Sequence, residues 1–129
     1  MIFGVCYVWR PDQYRSIQCD RLRAARSILD MACTTGWLDP QDEAKNLALV
    51  RAFYRDLFAE SGGVPMPGEA YDGALINHSD IDLADPTLNT SGVPWHQLYY
   101  KTNYPRLQRI KARWDPRDVF QHALSIRMR

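Results

Sequence analysis

The feature that most constrains this chain is an amphipathic stretch with clear punctuation at both ends. Asp39-Pro40, followed by Asp42 and Glu43, supplies a capping side chain, an early proline and an acidic first turn. Leu47, Val50, Tyr54, Leu57 and Phe58 then recur at spacings that place them on one stripe of a helix. Gly62-Gly63 ends the stretch, and Pro65 and Pro67 keep it from resuming. The pattern predicts a helix from about residue 40 to 60. Its stripe must be covered by other elements, and 129 residues allow one domain or a piece of one to do so.

The flanking segments supply strands, loops and further helices. Residues 1–9 contain Ile2, Phe3, Val5, Tyr7, Val8 and Trp9, a short strand closed by Pro11. Residues 12–33 interleave five arginines nearby with Ile17, Leu22, Ile28 and Leu29. Their periodicity permits an amphipathic helix, while residues 27–37 also permit a strand. Residues 61–73 read as a Gly/Pro loop, and Ala74, Leu75 and Ile76 as a short buried strand. Residues 78–92, with Asp80, Asp82, Asp85, Pro86, Asn89 and Gly92, read as a long ordered loop. Pro94-Trp95 opens a second helical stretch that runs to about Thr102. Asn103 can cap a third helix whose face is Leu107, Ile110 and Trp114. Asp115-Pro116 stops that helix, and residues 117–120 form a turn anchored by Phe120. The fold class is α+β.

Composition narrows the partners. Hydrophobic residues make up 46% and charged residues 24%, so the chain can build a core rather than remain disordered. The net charge of +1 singles out no partner. Eight basic residues lie from Lys101 onward, against Asp115 and Asp118, but a solvated helix face explains them better than a nucleic-acid surface. No apolar run is long enough for a bilayer, so no membrane partner is expected. The start, MIFGVCYVWRP, does not read as a signal peptide. Cys6, Cys19 and Cys33 fit neither a disulfide framework nor a zinc pattern, and they read as reduced thiols of a cytoplasmic protein. Asp80, Asp82 and Asp85 lack the Gly and later Glu of a calcium loop, so no metal is expected.

Residues 103–127, NYPRLQRIKARWDPRDVFQHALSIR, resemble the closing segment of the berberine-bridge family of FAD-linked oxidases. That family's pattern is Tyr-Tyr-Gly-x-Asn-Tyr, a basic helix, Asp-Pro and Phe. Tyr99, Tyr100, Asn103, Tyr104, Leu107, Lys111, Asp115, Pro116 and Phe120 fit it. Trp37, Asp39 and Pro40 resemble its upstream Trp-x-Asp-Pro segment. The wording of residues 64–95 is similar to the bacterial branch that oxidises sugars and glycosylated natural products. The resemblance covers roughly residues 25–127. It implies a domain over 25–129, with 1–24 a strand and linker to which no role is assigned. The implied architecture is a partial substrate domain, a few antiparallel strands backed by helices, with a C-terminal helical return segment.

The resemblance also implies FAD chemistry, with a difference. The diphosphate-binding loop and the flavin-linked His of the family match nothing here, so FAD binding by this chain alone is not expected. Oxidising members carry Tyr-x-Asn-Tyr, whose second Tyr takes the proton of a substrate hydroxyl. Here the segment is Leu75-Ile76-Asn77-His78. His78 stands where the base would be, and an imidazole is a better base at neutral pH than a phenol. The alternative is a tolerated polar residue. Asn77 resembles the family Asn beside the flavin, or else satisfies loop backbone groups. Asn103 is the other candidate cofactor contact. His96 reads as a surface residue, His122 as structural, and Tyr99 and Tyr100 as core.

Two functions follow. One is the C-terminal portion of an FAD-linked oxidoreductase acting on a sugar-bearing or polycyclic natural product, either a fragment of it or one half of a split enzyme completed by a flavin-domain partner. The other is a stand-alone, cofactor-free protein that binds, cyclises or isomerises such a compound, as a homodimer that covers the face left exposed.

Overall fold

A computed structural model describes residues 5–9, 30–69 and 71–129. The chain forms two units, Met1–Val64 and Pro65–Arg129. In the first, strand β1 (Val5–Trp9) pairs antiparallel with β2 (Asp30–Thr34), placing Val5 opposite Thr34 and Trp9 opposite Asp30. The strand reading of residues 27–37 therefore holds over 30–34. The readings of residues 10–29 lie outside the described residues.

Helix α1 (Glu43–Leu57) follows a 3-10 turn, Pro40–Asp42. The Asp39 carboxylate accepts from the Gln41 N–H at 2.9 Å, as the punctuation predicts. Gly62 and Gly63 end the segment with φ of 76° and 80°, where a side chain would be strained. Gly63 donates back to the Phe58 carbonyl. Phe58 is buried and meets Tyr54 edge-on at 4.8 Å. Leu57, counted in the stripe, is instead exposed, as are Leu49 and Phe53. Asn46 is a buried polar residue with both ends of its amide satisfied: Nδ2 donates to the Asp42 carbonyl and Oδ1 accepts from the Thr35 hydroxyl. The Thr35 bond joins the exit of β2 to α1.

The second unit holds the remaining elements. Ala74–Ile76 is not a strand. Leu75 is extended, but Ile76–His78 is a 3-10 turn, and the only sheet among the described residues is β1–β2. The Ala74 N–H bonds instead to the carbonyl of Leu98, a helix-end acceptor, and its apolar neighbours are half-buried. A 3-10 turn at Ile81–Ala84 leads into a loop organised by Asn89. Its Nδ2 donates to the carbonyls of Leu83 and Val93, and its Oδ1 accepts from Ser91. Asn89→Asp would turn that donor into an acceptor facing two carbonyls. We expect a loss of about 2 kcal/mol, read as a lower Tm in thermal unfolding.

Helices α2 (Trp95–Tyr100) and α3 (Tyr104–Trp114) are joined by a 3-10 turn, Lys101–Asn103. Leu98 is fully buried, and Trp95, Tyr99, Tyr104, Leu83 and Leu124 are buried core residues of the same unit. The α3 face differs from the expected one. Ile110 and Trp114 are exposed, at 41% and 76%, and the covered side is Tyr104, Leu107, Gln108 and Lys111. Those four positions also follow the helical repeat, and the apolar stem of Lys111 packs while its ammonium is held. That ammonium meets Asp115 at 2.9 Å, Asp118 at 2.7 Å and the Phe120 carbonyl at 2.8 Å.

Asp115, rather than Phe120, anchors the following turn. Its carboxylate accepts from the N–H groups of Val119 and Phe120, whereas the Phe120 ring is 77% exposed. The Lys111 ammonium, then these N–H groups, hold the Asp115 carboxyl below its ordinary range. A depressed carboxyl stabilises the fold above its unfolded pKa, near 4, and that contribution is lost as pH falls through the folded value. We therefore expect the Tm gap between the wild type and Asp115→Asn to be present at neutral pH and to close as the pH is taken below about 4.

Candidate functional site

The segment Asp72–Asp80 is built onto α2 at both ends. Upstream, the Lys101 ammonium pairs with the Asp72 carboxylate, and Ala74 donates to the Leu98 carbonyl at 3.0 Å. Gly73 between them has φ +90°, and a Cβ there would overlap the Leu98 carbonyl oxygen. Downstream, the Tyr99 hydroxyl takes both backbone groups of Asp80. It accepts from the N–H at 2.8 Å and donates to the carbonyl at 3.3 Å. Burial raises the Tyr99 pKa, so the phenol keeps its proton and can donate.

Between these attachments lies the turn carrying two of the three sequence candidates. Asn77 and His78 are adjacent and exposed, and the His78 N–H closes the turn onto the Leu75 carbonyl at 3.0 Å. Asn103 occupies the N-cap position of α3 but makes no side-chain capping bond. Its backbone is helical (φ −79°, ψ −17°) because the preceding 3-10 turn runs straight into α3, whereas a capping side chain needs extended geometry. Asp80 and Asp85 each cap their own turn, bonding to Asp82 and Thr87 respectively. No cluster of three or more metal-ligating side chains occurs among the described residues.

The second unit also holds an open cleft of about 650 Å³, with Met66, Val93, His96, Lys101, Tyr104 and Gln108 on its walls. Asn77, His78 and Asn103 are not among the lining residues of this cleft. His96, expected at the surface, is half-buried. Its ring stacks on Tyr104 at 4.1 Å and 11°, and its Nδ1 is buried without a hydrogen-bond partner. Desolvation, then the charge of Arg127, lowers its pKa and keeps the imidazole neutral at pH 7. His122 has the structural role expected of it: its Nδ1 accepts from the Leu124 N–H.

Sequence reasoning missed Gly73, Lys101 and the hydroxyl of Tyr99. One signal was present: Lys101 stands where the resembled pattern has Gly. Its φ of +50° shows why glycine suits that position, since other residues are strained there by about 1 kcal/mol or more.

The turn, α2, α3 and the return segment together coincide with a known sequence family. Residues 74–127 match the berberine and berberine-like model. Residues 74–127 thus form a berberine and berberine-like region. Among its relatives is the aclacinomycin-N/aclacinomycin-A oxidase of Streptomyces galilaeus, 56% identical over 101 residues, which are 78% of this chain and 18% of that protein. Among solved structures, a glycopeptide hexose oxidase in complex with teicoplanin superposes with a TM-score of 0.80 at 58% identity, over 83% of this chain and 22% of its own. Aclacinomycin oxidoreductase gives 0.81 at 52% identity, over 84% and 22%. The chain thus spans about a fifth of the length of these relatives. The resemblance to the FAD-linked bacterial branch acting on sugars and natural products is borne out.

Whether FAD fits the residues present depends on which part of it is considered. The space beside Gly73 is filled by the Leu98 carbonyl, and α1 begins with Asp42 and Glu43, which would repel a diphosphate. An exposed amide beside an imidazole, by contrast, fits the polar edge of a ring. Asn77 and His78 are exposed polar side chains of the kind that can hydrogen-bond a ring edge.

Proposed function

We propose that this chain forms part of an FAD-linked oxidoreductase acting on a sugar-bearing or polycyclic natural product, and that it presents the Asn77–His78 turn to the reacting centre. The observation that carries this reading is the turn itself. It is an exposed imidazole and amide on a segment fixed to α2 at both ends, inside the matched region. Relatives named for the oxidation of aclacinomycins and of a glycopeptide hexose support the substrate class. The architecture proposed is the later part of a substrate domain, with strands backed by helices.

FAD, when bound, supplies the two-electron acceptor for hydride. The chain's own residues handle the proton and the placement. His78 takes the proton of the substrate hydroxyl as the carbon beneath it loses hydride, which turns an alcohol into a carbonyl. Asn77 holds the ring edge of the cofactor through its amide, and Asn103 is a second polar contact for it. The remainder of the cofactor is held by a flavin-binding domain outside these 129 residues.

The test is a graft. This chain replaces the matching 101 residues of the Streptomyces galilaeus oxidase. The purified graft is expected to retain FAD and to oxidise aclacinomycin or a related glycoside. A graft that folds and holds FAD yet oxidises no glycosylated substrate in a panel would contradict the reading.

A further inference from the structure

We infer that Tyr99 is a positioning residue: its hydroxyl, bonded to both backbone groups of Asp80, fixes the downstream end of the Asn77–His78 turn on α2. For the chemistry assigned to His78 this rests on the proposed function; for the geometry it does not. A phenol is suited to this task. It is long enough to run from the buried face of α2 to a loop 19 residues earlier, and one oxygen both accepts and donates. The upstream end is held separately, by Lys101 with Asp72, by Leu98 with Ala74 and by the close approach of Gly73. The turn is short, so freedom at its downstream end passes directly to His78.

Tyr104 provides an internal comparison. It is also a buried tyrosine, at 6% exposure against 7% for Tyr99, and its hydroxyl accepts from the Arg127 N–H. Loss of either hydroxyl removes the same atom from the same aromatic group of residues, but the two hydroxyls hold different segments.

The experiment is amide hydrogen exchange by NMR on the full chain, in the wild type, Tyr99→Phe and Tyr104→Phe. Tyr99→Phe is expected to speed exchange at Asp80 and His78 by roughly tenfold while the amides of α3 keep their protection. Tyr104→Phe is expected to leave Asp80 and His78 unchanged. Equal acceleration throughout the second unit, or none at His78, overturns the inference. Relaxation measurements on the wild type give a check that needs no variant. The His78 amide should show an order parameter near about 0.85, and a value below about 0.6 would also overturn it. In the graft, Tyr99→Phe should lower the rate of flavin reduction. If exchange behaves as expected and that rate does not change, the positioning stands and the assignment of chemistry to His78 fails.

Discussion

Gly73→Ala should lower the stability of the second unit by about 3 kcal/mol, the largest effect we expect from a single methyl group in this chain. The left-handed φ of Gly73, +90°, costs an alanine about 1–2 kcal/mol. The added Cβ also overlaps the Leu98 carbonyl oxygen, which is backbone and belongs to a residue with no exposure. Neither side can yield without breaking the Ala74 to Leu98 hydrogen bond, a further loss of about 1–2 kcal/mol. For a unit of this size the sum is a fall in Tm of more than about 10 °C. Gly92→Ala separates the two causes. Gly92 has φ +75° and open space around its missing Cβ, so only the backbone term applies and the fall should be about a third as large. Thermal unfolding of both variants followed by circular dichroism reads the difference.

His78→Ala should have the largest effect on activity. In the grafted enzyme the rate of flavin reduction by substrate is expected to fall by about 100- to 1000-fold, equal to roughly 3–4 kcal/mol, because the variant has no group at that place to receive the hydroxyl proton. Stability should hardly change, since His78 is exposed and its described bond is from the backbone N–H. His78→Tyr restores the phenol found in the resembled motif and should recover part of the rate. Rapid-mixing measurements of flavin reduction across pH, with Tm recorded for each variant, check both statements.

The helix from Asp39 to Gly63 was legible because its signals are local: cap, proline, stripe and paired glycines lie within one run of sequence. Signals that depend on distant partners were not. Ala74, Leu75 and Ile76 look like a strand, but the carbonyl that takes the Ala74 N–H belongs to Leu98 in α2. Ile110 and Trp114 look like the buried face of α3, yet the covered side includes Lys111, whose charge is satisfied by Asp115 and Asp118. Composition counts that lysine as solvent-facing, and only the turn after the helix shows otherwise. At the candidate site, Asn77 and His78 were named through family resemblance alone, and both are exposed. What holds them was not. Tyr99 reads as core from its neighbours, and it is core, but its hydroxyl reaches Asp80 across 19 residues without any local pattern. His96 was misread for the same reason, because Tyr104, on which it stacks, comes from the next helix.

Service in an FAD-linked oxidation can be read from a single anaerobic turnover. The most direct test is to mix the FAD-loaded graft with aclacinomycin in the absence of oxygen and to count reduced flavin against oxidised product. The flavin is expected to bleach, with one equivalent reduced for each equivalent of alcohol converted to carbonyl. Product formed while the flavin stays oxidised would contradict it and would favour a cofactor-free rearrangement on the same surface.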